Sequence, residues 1–194
     1  MNYLAHLHLS NPEPDAWIGN LMGDFVKGPI PDSLAPGIKQ GVKLHRAVDQ
    51  YTDKHPIFLR SKRRISPAYR RYAGILIDMF YDHYLALSWS HYSEQYLHHF
   101  AREVYTVLRN KQAQLPPRMQ GSVSYMLAND LLNTYQQPAT IAQSLRGIER
   151  RLKRPSRLGE AISELYANYS EFENDFHDFF PQIRNYTVEY KKFL

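Results

Sequence analysis

No cysteine occurs in the 194 residues. That excludes disulfides and thiolate metal sites and leaves histidine and carboxylate as the ligating side chains. No run approaches the roughly 20 consecutive apolar residues a membrane-spanning helix needs. The first residues hold no basic stretch followed by an apolar core and a cleavage site, so no secretory leader is expected and a cytoplasmic setting is. Glycine-rich phosphate loops, dinucleotide-binding glycine patterns and nucleophile elbows are all missing. No Asn-Gly or Asp-Gly turn separates alternating apolar runs, so no hairpin is expected. Internal repeats and low-complexity tracts are absent as well.

What remains reads as helices. The spacing predicts a short helix from Asn2 to His8 and a second from a cap at Asp15 to about Val26. Further helices are expected from about Gly37 to Asp53, from about Ala68 to Leu87 with Pro67 suited to its first turn, and from about Ser93 to Arg109, while 57–65 carries the first basic residues. Three more fill 118–135, 140–152 and 157–180, the last aromatic on its inner side through Phe172, Phe176, Phe179 and Phe180; residues 182–194 carry no clear pattern. The expectation is one all-α domain over 1–194, a single helical bundle with site-bearing helices up to about residue 90 and supporting helices from about 91 to 180.

The net charge of +5 is unevenly placed. Arg60, Lys62, Arg63, Arg64, Arg70 and Arg71 fall within twelve residues that contain no acid, and a second basic stretch runs from Arg146 to Arg157. Glu160–Asp178 then carries six acids and no Lys or Arg. Two basic patches suit an acidic partner, and Arg60–Arg71 is the better candidate because it follows the principal site helix.

His45, Asp49 and Asp53 are four apart, which lines them up on one helical face. Downstream, Asp78 and Asp82 repeat that spacing, with His83 adjacent, in an otherwise apolar run. Imidazoles and carboxylates on facing helices are how an all-α core builds a divalent-metal site. Asp24, between Gly23 and Phe25, is the one acid of its apolar stretch and is expected to be buried. Gly19 and Gly23, four apart, allow a neighbouring helix to approach closely. His6 and His8 cannot share a helical face, so at most one should point inward.

Several multi-residue blocks, in order, resemble the bacterial acyl carrier protein phosphodiesterases. They are Asn2-Tyr3-Leu4-Ala5-His6, Gly19-Asn20-Leu21-Met22-Gly23-Asp24-Phe25-Val26-Lys27-Gly28, Gly41 with His45-Arg46-Ala47-Val48-Asp49 and Thr52-Asp53, and Asp78 with Asp82-His83 through Trp89. The resemblance is dense to about Trp89 and continues through helical pattern beyond it. It implies an enzyme distantly related to the HD phosphohydrolases, HD-domain-like in fold and dependent on a divalent metal. Manganese is foremost among the ions, with magnesium or iron as alternatives. The implied reaction is hydrolysis of the 4′-phosphopantetheine phosphodiester of holo-acyl carrier protein, leaving apo-carrier. HD enzymes carry adjacent His-Asp; here the adjacent pair is Asp82-His83, reversed, and His45 and Asp49 are one turn apart.

On that resemblance the expected metal ligands are Asp24, His45, Asp49 and Asp82, with Asp78 and His83 in reserve. His6 is expected to bind metal or protonate the leaving serine oxygen. Asn20 and Asp53 are expected to orient the ligands, and Arg46 to hold a carboxylate or phosphate. The expected partner is the acidic holo-carrier, with no membrane and no nucleic acid. Two rival readings are a related phosphohydrolase acting on a nucleotide or small phosphodiester, and a non-catalytic basic helical module that grips an acidic protein.

Overall fold

The computed structural model describes residues 1–152 and 156–194, and among these it contains α-helices, short 3-10 turns and no strand. Lys153 and Arg154 of the second basic stretch lie outside the described residues. The helices are α1 (Tyr3–Leu9), α2 (Pro14–Met22), α3 (Pro36–Lys54), α4 (Pro56–Arg64), α5 (Ala73–Leu87), α6 (Leu97–Lys111), α7 (Pro117–Ala128), α8 (Leu131–Thr134), α9 (Pro138–Glu149), α10 (Ile162–Ala167) and α11 (Tyr169–Lys191).

Proline sets many of the starts. Pro14, Pro36, Pro56, Pro117 and Pro138 each take the first position of a helix, where a missing N–H removes no bond and φ is already suitable. The second helix therefore starts at Pro14, not from a cap at Asp15, and stops at Met22 rather than Val26. The helix expected from Pro67 begins as a 3-10 segment, Pro67–Tyr72, before α5 proper. The stretch 118–135 is interrupted at Asp130, which adopts a left-handed conformation (φ 46°) between α7 and α8. Residues 182–191, patternless in sequence, continue α11 straight through Pro181.

At the centre of the core is α5. Leu76, Ile77, Met79, Phe80, Tyr81, Tyr84, Leu85 and Ala86 are all buried, so the helix is covered on nearly every side. The inner face of α11 supplies Phe172, Phe176 and Phe179, whose rings meet Phe80, Tyr81 and Tyr84 at 5.5–6.1 Å, and Phe180, which packs on Tyr92 at 4.8 Å. A polar tie joins α4 to α11: buried Asp175 accepts from Arg60 (2.7 Å), Ser61 (2.6 Å) and Arg64 (3.1 Å).

Helices α2 and α3 pack backbone to backbone. A Cβ on Gly41 would lie 2.5 Å from the Ala16 carbonyl oxygen and 2.6 Å from the Asn20 nitrogen, and one on Gly19 would run into the backbone of Ile38. A Cβ on Gly23 would meet the His45 ring. These glycines let α3 settle onto α2 and bring His45 beside the turn that carries Asp24.

Helix α1 is anchored from α5. The Asp82 carboxylate accepts hydrogen bonds from the backbone N–H groups of Leu4 (2.8 Å) and Ala5 (3.0 Å). It supplies acceptors for the open N-terminal turn of α1, while the amide of the preceding Asn2 donates to Tyr135 (2.9 Å). Burial pushes the Asp82 carboxyl up to about 7 against the pull of those two bonds. Asp82→Ala is expected to cost about 2–4 kcal/mol, because two buried N–H groups lose their acceptor, while Asp82→Asn keeps one and loses less. Urea unfolding checks this; equal losses for the two variants would refute the anchoring role.

Candidate metal centre

Helix α1 places His6, and α3 places His45 and Asp49, at one point. The two imidazoles stack with ring centroids 4.0 Å apart and planes 18° from parallel. Each turns its Nε2 to the same carboxylate: His6 to Asp49 Oδ1 at 3.1 Å and His45 to Asp49 Oδ2 at 3.1 Å. Asp24, in the turn after α2, sets Oδ1 3.6 Å from His45 Nε2. Both rings are almost wholly buried, whereas Asp49 and Asp24 keep 42% and 53% of their side-chain surface in solvent, so the cluster opens outward through its carboxylates. Asp24 is thus exposed, not buried as its apolar neighbours suggested, because α2 ends before it and the turn carries it to the surface.

The two histidines differ in charge. Burial resists protonation of His45, but Asp24 and Asp49 outweigh it and raise the ring to about 9. His6 is lowered to about 4, first by burial and then by the positive His45. Asp49 is pulled well below the usual carboxylate range, since its bonds to both rings overcome its own desolvation; Asp24 is lowered in the same sense. A charged imidazole, a neutral one and two carboxylates therefore meet in one place.

These groups could hold a divalent ion. Ligand atoms of His6, His45 and Asp49 lie within 4.8 Å of one another, and two imidazoles with a carboxylate form a borderline donor set suited to first-row dications. Each ring leaves a buried Nδ1 without a partner, and Asn20, fully buried on α2, leaves both amide atoms unpartnered. Such unmet polar groups beside a donor cluster accord with a site built around a bound ion.

The remaining candidates are disposed differently. Asp78 pairs with the Met1 ammonium at 2.9 Å, and that ammonium lies 3.7 Å from Asp49, so Asp78 adjoins the cluster through a cation. Asp82, expected as a ligand, is engaged by α1. His83 is held at both nitrogens, by the Tyr135 carbonyl at 2.8 Å and the Tyr169 hydroxyl at 2.9 Å. Arg46 does not face a carboxylate: it donates to the carbonyls of Val26 (2.8 Å) and Gly28 (2.7 Å), clamping the loop beyond Asp24. Asp53 is exposed one turn beyond Asp49. The Met1 amine and the anchoring use of Asp82 were missed in sequence, and the one available signal was an acid inside an otherwise apolar helix.

The His45 shift fixes a pH dependence. Its folded value lies above the ordinary value of about 6.5, so its contribution to stability is complete below about 6.5 and is lost as pH climbs to about 9. His6 has the opposite sign, because the unfolded chain takes up a proton below about 6.5 that the folded chain refuses. Metal-free protein should therefore lose stability between pH 6.5 and 9, and His45→Gln should flatten that limb. A urea midpoint that rises over the interval would contradict the assignment. An ion must also displace the His45 proton, so metal binding near neutrality should release about one proton, measurable by calorimetry in buffers of differing ionisation enthalpy.

Fold and site together define a class: an all-α protein in which buried imidazoles and half-exposed carboxylates meet in a cluster that could hold a dication. Comparison with known proteins narrows it. The family model described as acyl carrier protein phosphodiesterase matches residues 1–183. Proteins named acyl carrier protein phosphodiesterase from Photorhabdus laumondii and Serratia proteamaculans are each 32% identical over 184 residues, covering 94% of this chain and 93% and 95% of theirs. One from Shigella boydii is 30% identical over 188 residues, covering 94% of this chain and 95% of its own. No solved structure matches the chain. The chain belongs to the acyl carrier protein phosphodiesterase family and is an enzyme of the phosphoric diester hydrolase class.

Proposed function

We propose that this enzyme hydrolyses the phosphodiester joining 4′-phosphopantetheine to the serine of holo-acyl carrier protein, with a divalent ion, manganese foremost, held by His6, His45, Asp49 and Asp24. The observation that carries the reading is the meeting of two imidazole Nε2 atoms on the Asp49 carboxylate at 3.1 Å each. A phosphodiester repels nucleophiles and has a poor alkoxide leaving group. A bound dication would supply charge for the phosphoryl oxygens and a bound water acidified toward neutral pKa.

The chain's own groups do the positioning. Asp49 orients both rings, Arg46 fixes the loop carrying Asp24, and Asp82 holds α1 so that His6 reaches α3. Its low proton affinity leaves His6 neutral at physiological pH, and a neutral imidazole is the form that binds metal. Incubation with holo-carrier and manganese, followed by mass spectrometry of the carrier, tests the reaction. A mass loss equal to the prosthetic group, abolished by chelator, is expected; an unchanged carrier refutes it.

The docking surface for the acidic carrier is narrower than the sequence suggested. Arg60 and Arg64 are tied to Asp175, and Arg60 also to Asp178, which leaves half-buried Lys62 and exposed Arg63, Arg70 and Arg71 to meet a partner. Steering by these charges predicts that kcat/KM toward holo-carrier falls as ionic strength rises, and that Arg63→Glu with Arg70→Glu lowers it further at low salt. A rate unaffected by salt would place the docking surface elsewhere.

A further inference from the structure

One stripe of α11 carries basic side chains that form no ion pair among the described residues. His177, Arg184 and Lys191 recur at seven-residue spacing with Phe180 and Thr187 between them, so all five lie along one side of the helix. Of the acids on this helix, Asp175 and Asp178 are engaged with α4 and Glu189 with Lys192, all away from the stripe; Glu173 is in line with it one turn before His177, roughly 16 Å along the axis from Arg184. Facing the stripe are the His8 ring, 5.7 Å from Phe180 and 5.0 Å from Trp89, and Tyr92. The Tyr92 hydroxyl lies 2.9 Å from His177 Nδ1, and its ring lies 5.7 Å from the Arg184 guanidinium.

Arg184, Lys191 and His8 are each half-buried, and among the described residues none has a carboxylate at ion-pair distance. The His8 ring reports the same geometry: burial, then the charges of Arg184 and Lys191, lower it to about 4 with no acid opposing them. Burial also lowers the Lys191 ammonium. Two cations partly withdrawn from water without a counter-charge are unfavourable. A tetrahedral dianion offsets both, with the arginine offering paired N–H donors, whereas a carboxylate offsets only one. His6 and His8 lie roughly 200° apart around α1, so this seam is on the other side of that helix from the Asp49 cluster.

We propose that Arg184 and Lys191, with His8 at the rim, form a second anion site that takes phosphate or a phosphate monoester, distinct from the metal cluster. The test is an amide-resolved NMR titration of the full chain, in magnesium, with inorganic phosphate. Saturable shifts at residues 184–191 and 7–9 are expected, with none from chloride at matched ionic strength. Arg184→Gln and Lys191→Gln should each weaken the response by about tenfold, while Asp49→Asn leaves it intact. A response confined to residues 45–49, or reproduced by chloride, or undiminished in both variants, overturns the site. Parallel titrations with 4′-phosphopantetheine and pantetheine separate the sources: tighter binding of the former marks an esterified phosphate as the ligand, and weaker binding marks free phosphate.

Discussion

Asp49→Asn is expected to lower kcat/KM by about 10³-fold or more, roughly 4 kcal/mol of transition-state stabilisation, while the helices stay folded. The Asp49 carboxylate reaches both imidazoles of the cluster, at 3.1 Å each. Asparagine preserves its volume but removes the charge that attracts an ion and the second acceptor that aligns the rings. The loss should appear in a manganese titration as well as in turnover of holo-carrier. Asp53→Asn, one turn further along the same helix and exposed, is the matched control and should stay near wild type. If the Asp49 variant retains more than about a tenth of the activity, under 1.4 kcal/mol of loss, the chemistry is centred elsewhere.

The largest stability losses should come from three hydrogens replaced by methyls. Gly41→Ala and Gly19→Ala drive a Cβ into the backbone of the facing helix, where no side chain can swing aside. Each is expected to cost at least about 3 kcal/mol, the upper end for overpacking, because α2 and α3 must separate along their whole contact. Gly23→Ala meets the His45 ring instead, so it should lose activity out of proportion to its stability loss. Gly121→Ala, in the interior of α7 with open space around the added carbon, should stabilise by about 0.5–1 kcal/mol. Urea unfolding of the four variants decides the matter; Gly41→Ala within about 1 kcal/mol of wild type would show that the helices are not in such close contact.

Much of this was readable in one dimension. The four-residue spacing of His45 and Asp49, and the close approach implied by Gly19 and Gly23, are local helical facts, and the structure shows both. Spacing names a face but not what the face meets. Asp82 and His83 share the acid-and-imidazole signature of a ligand pair, yet their partners, Leu4, Ala5, Tyr135 and Tyr169, are 52 to 86 positions away. Arg60 and Arg64 read as free docking charges for the same reason, with Asp175 more than a hundred residues downstream. Asp24 was misjudged on a helix boundary: once α2 ends at Met22, the residue turns outward. Residues 182–191 lacked a legible period because α11 there is covered on part of its surface and bears charges on a half-covered stripe.

The shortness of α1 bears on how the centre comes into being. Seven residues cannot sustain a helix in isolation, since lone helices under about 12–15 residues are marginal in water; this one persists through what the rest of the chain offers it. Undocking of that segment of about two turns would carry His6 away from Asp49 while the remaining helices stay intact. Under the proposed ligand set, occupancy by an ion and residence of α1 on the body are one equilibrium seen from two ends, and adding metal should slow amide exchange at residues 3–9 before it slows exchange anywhere else.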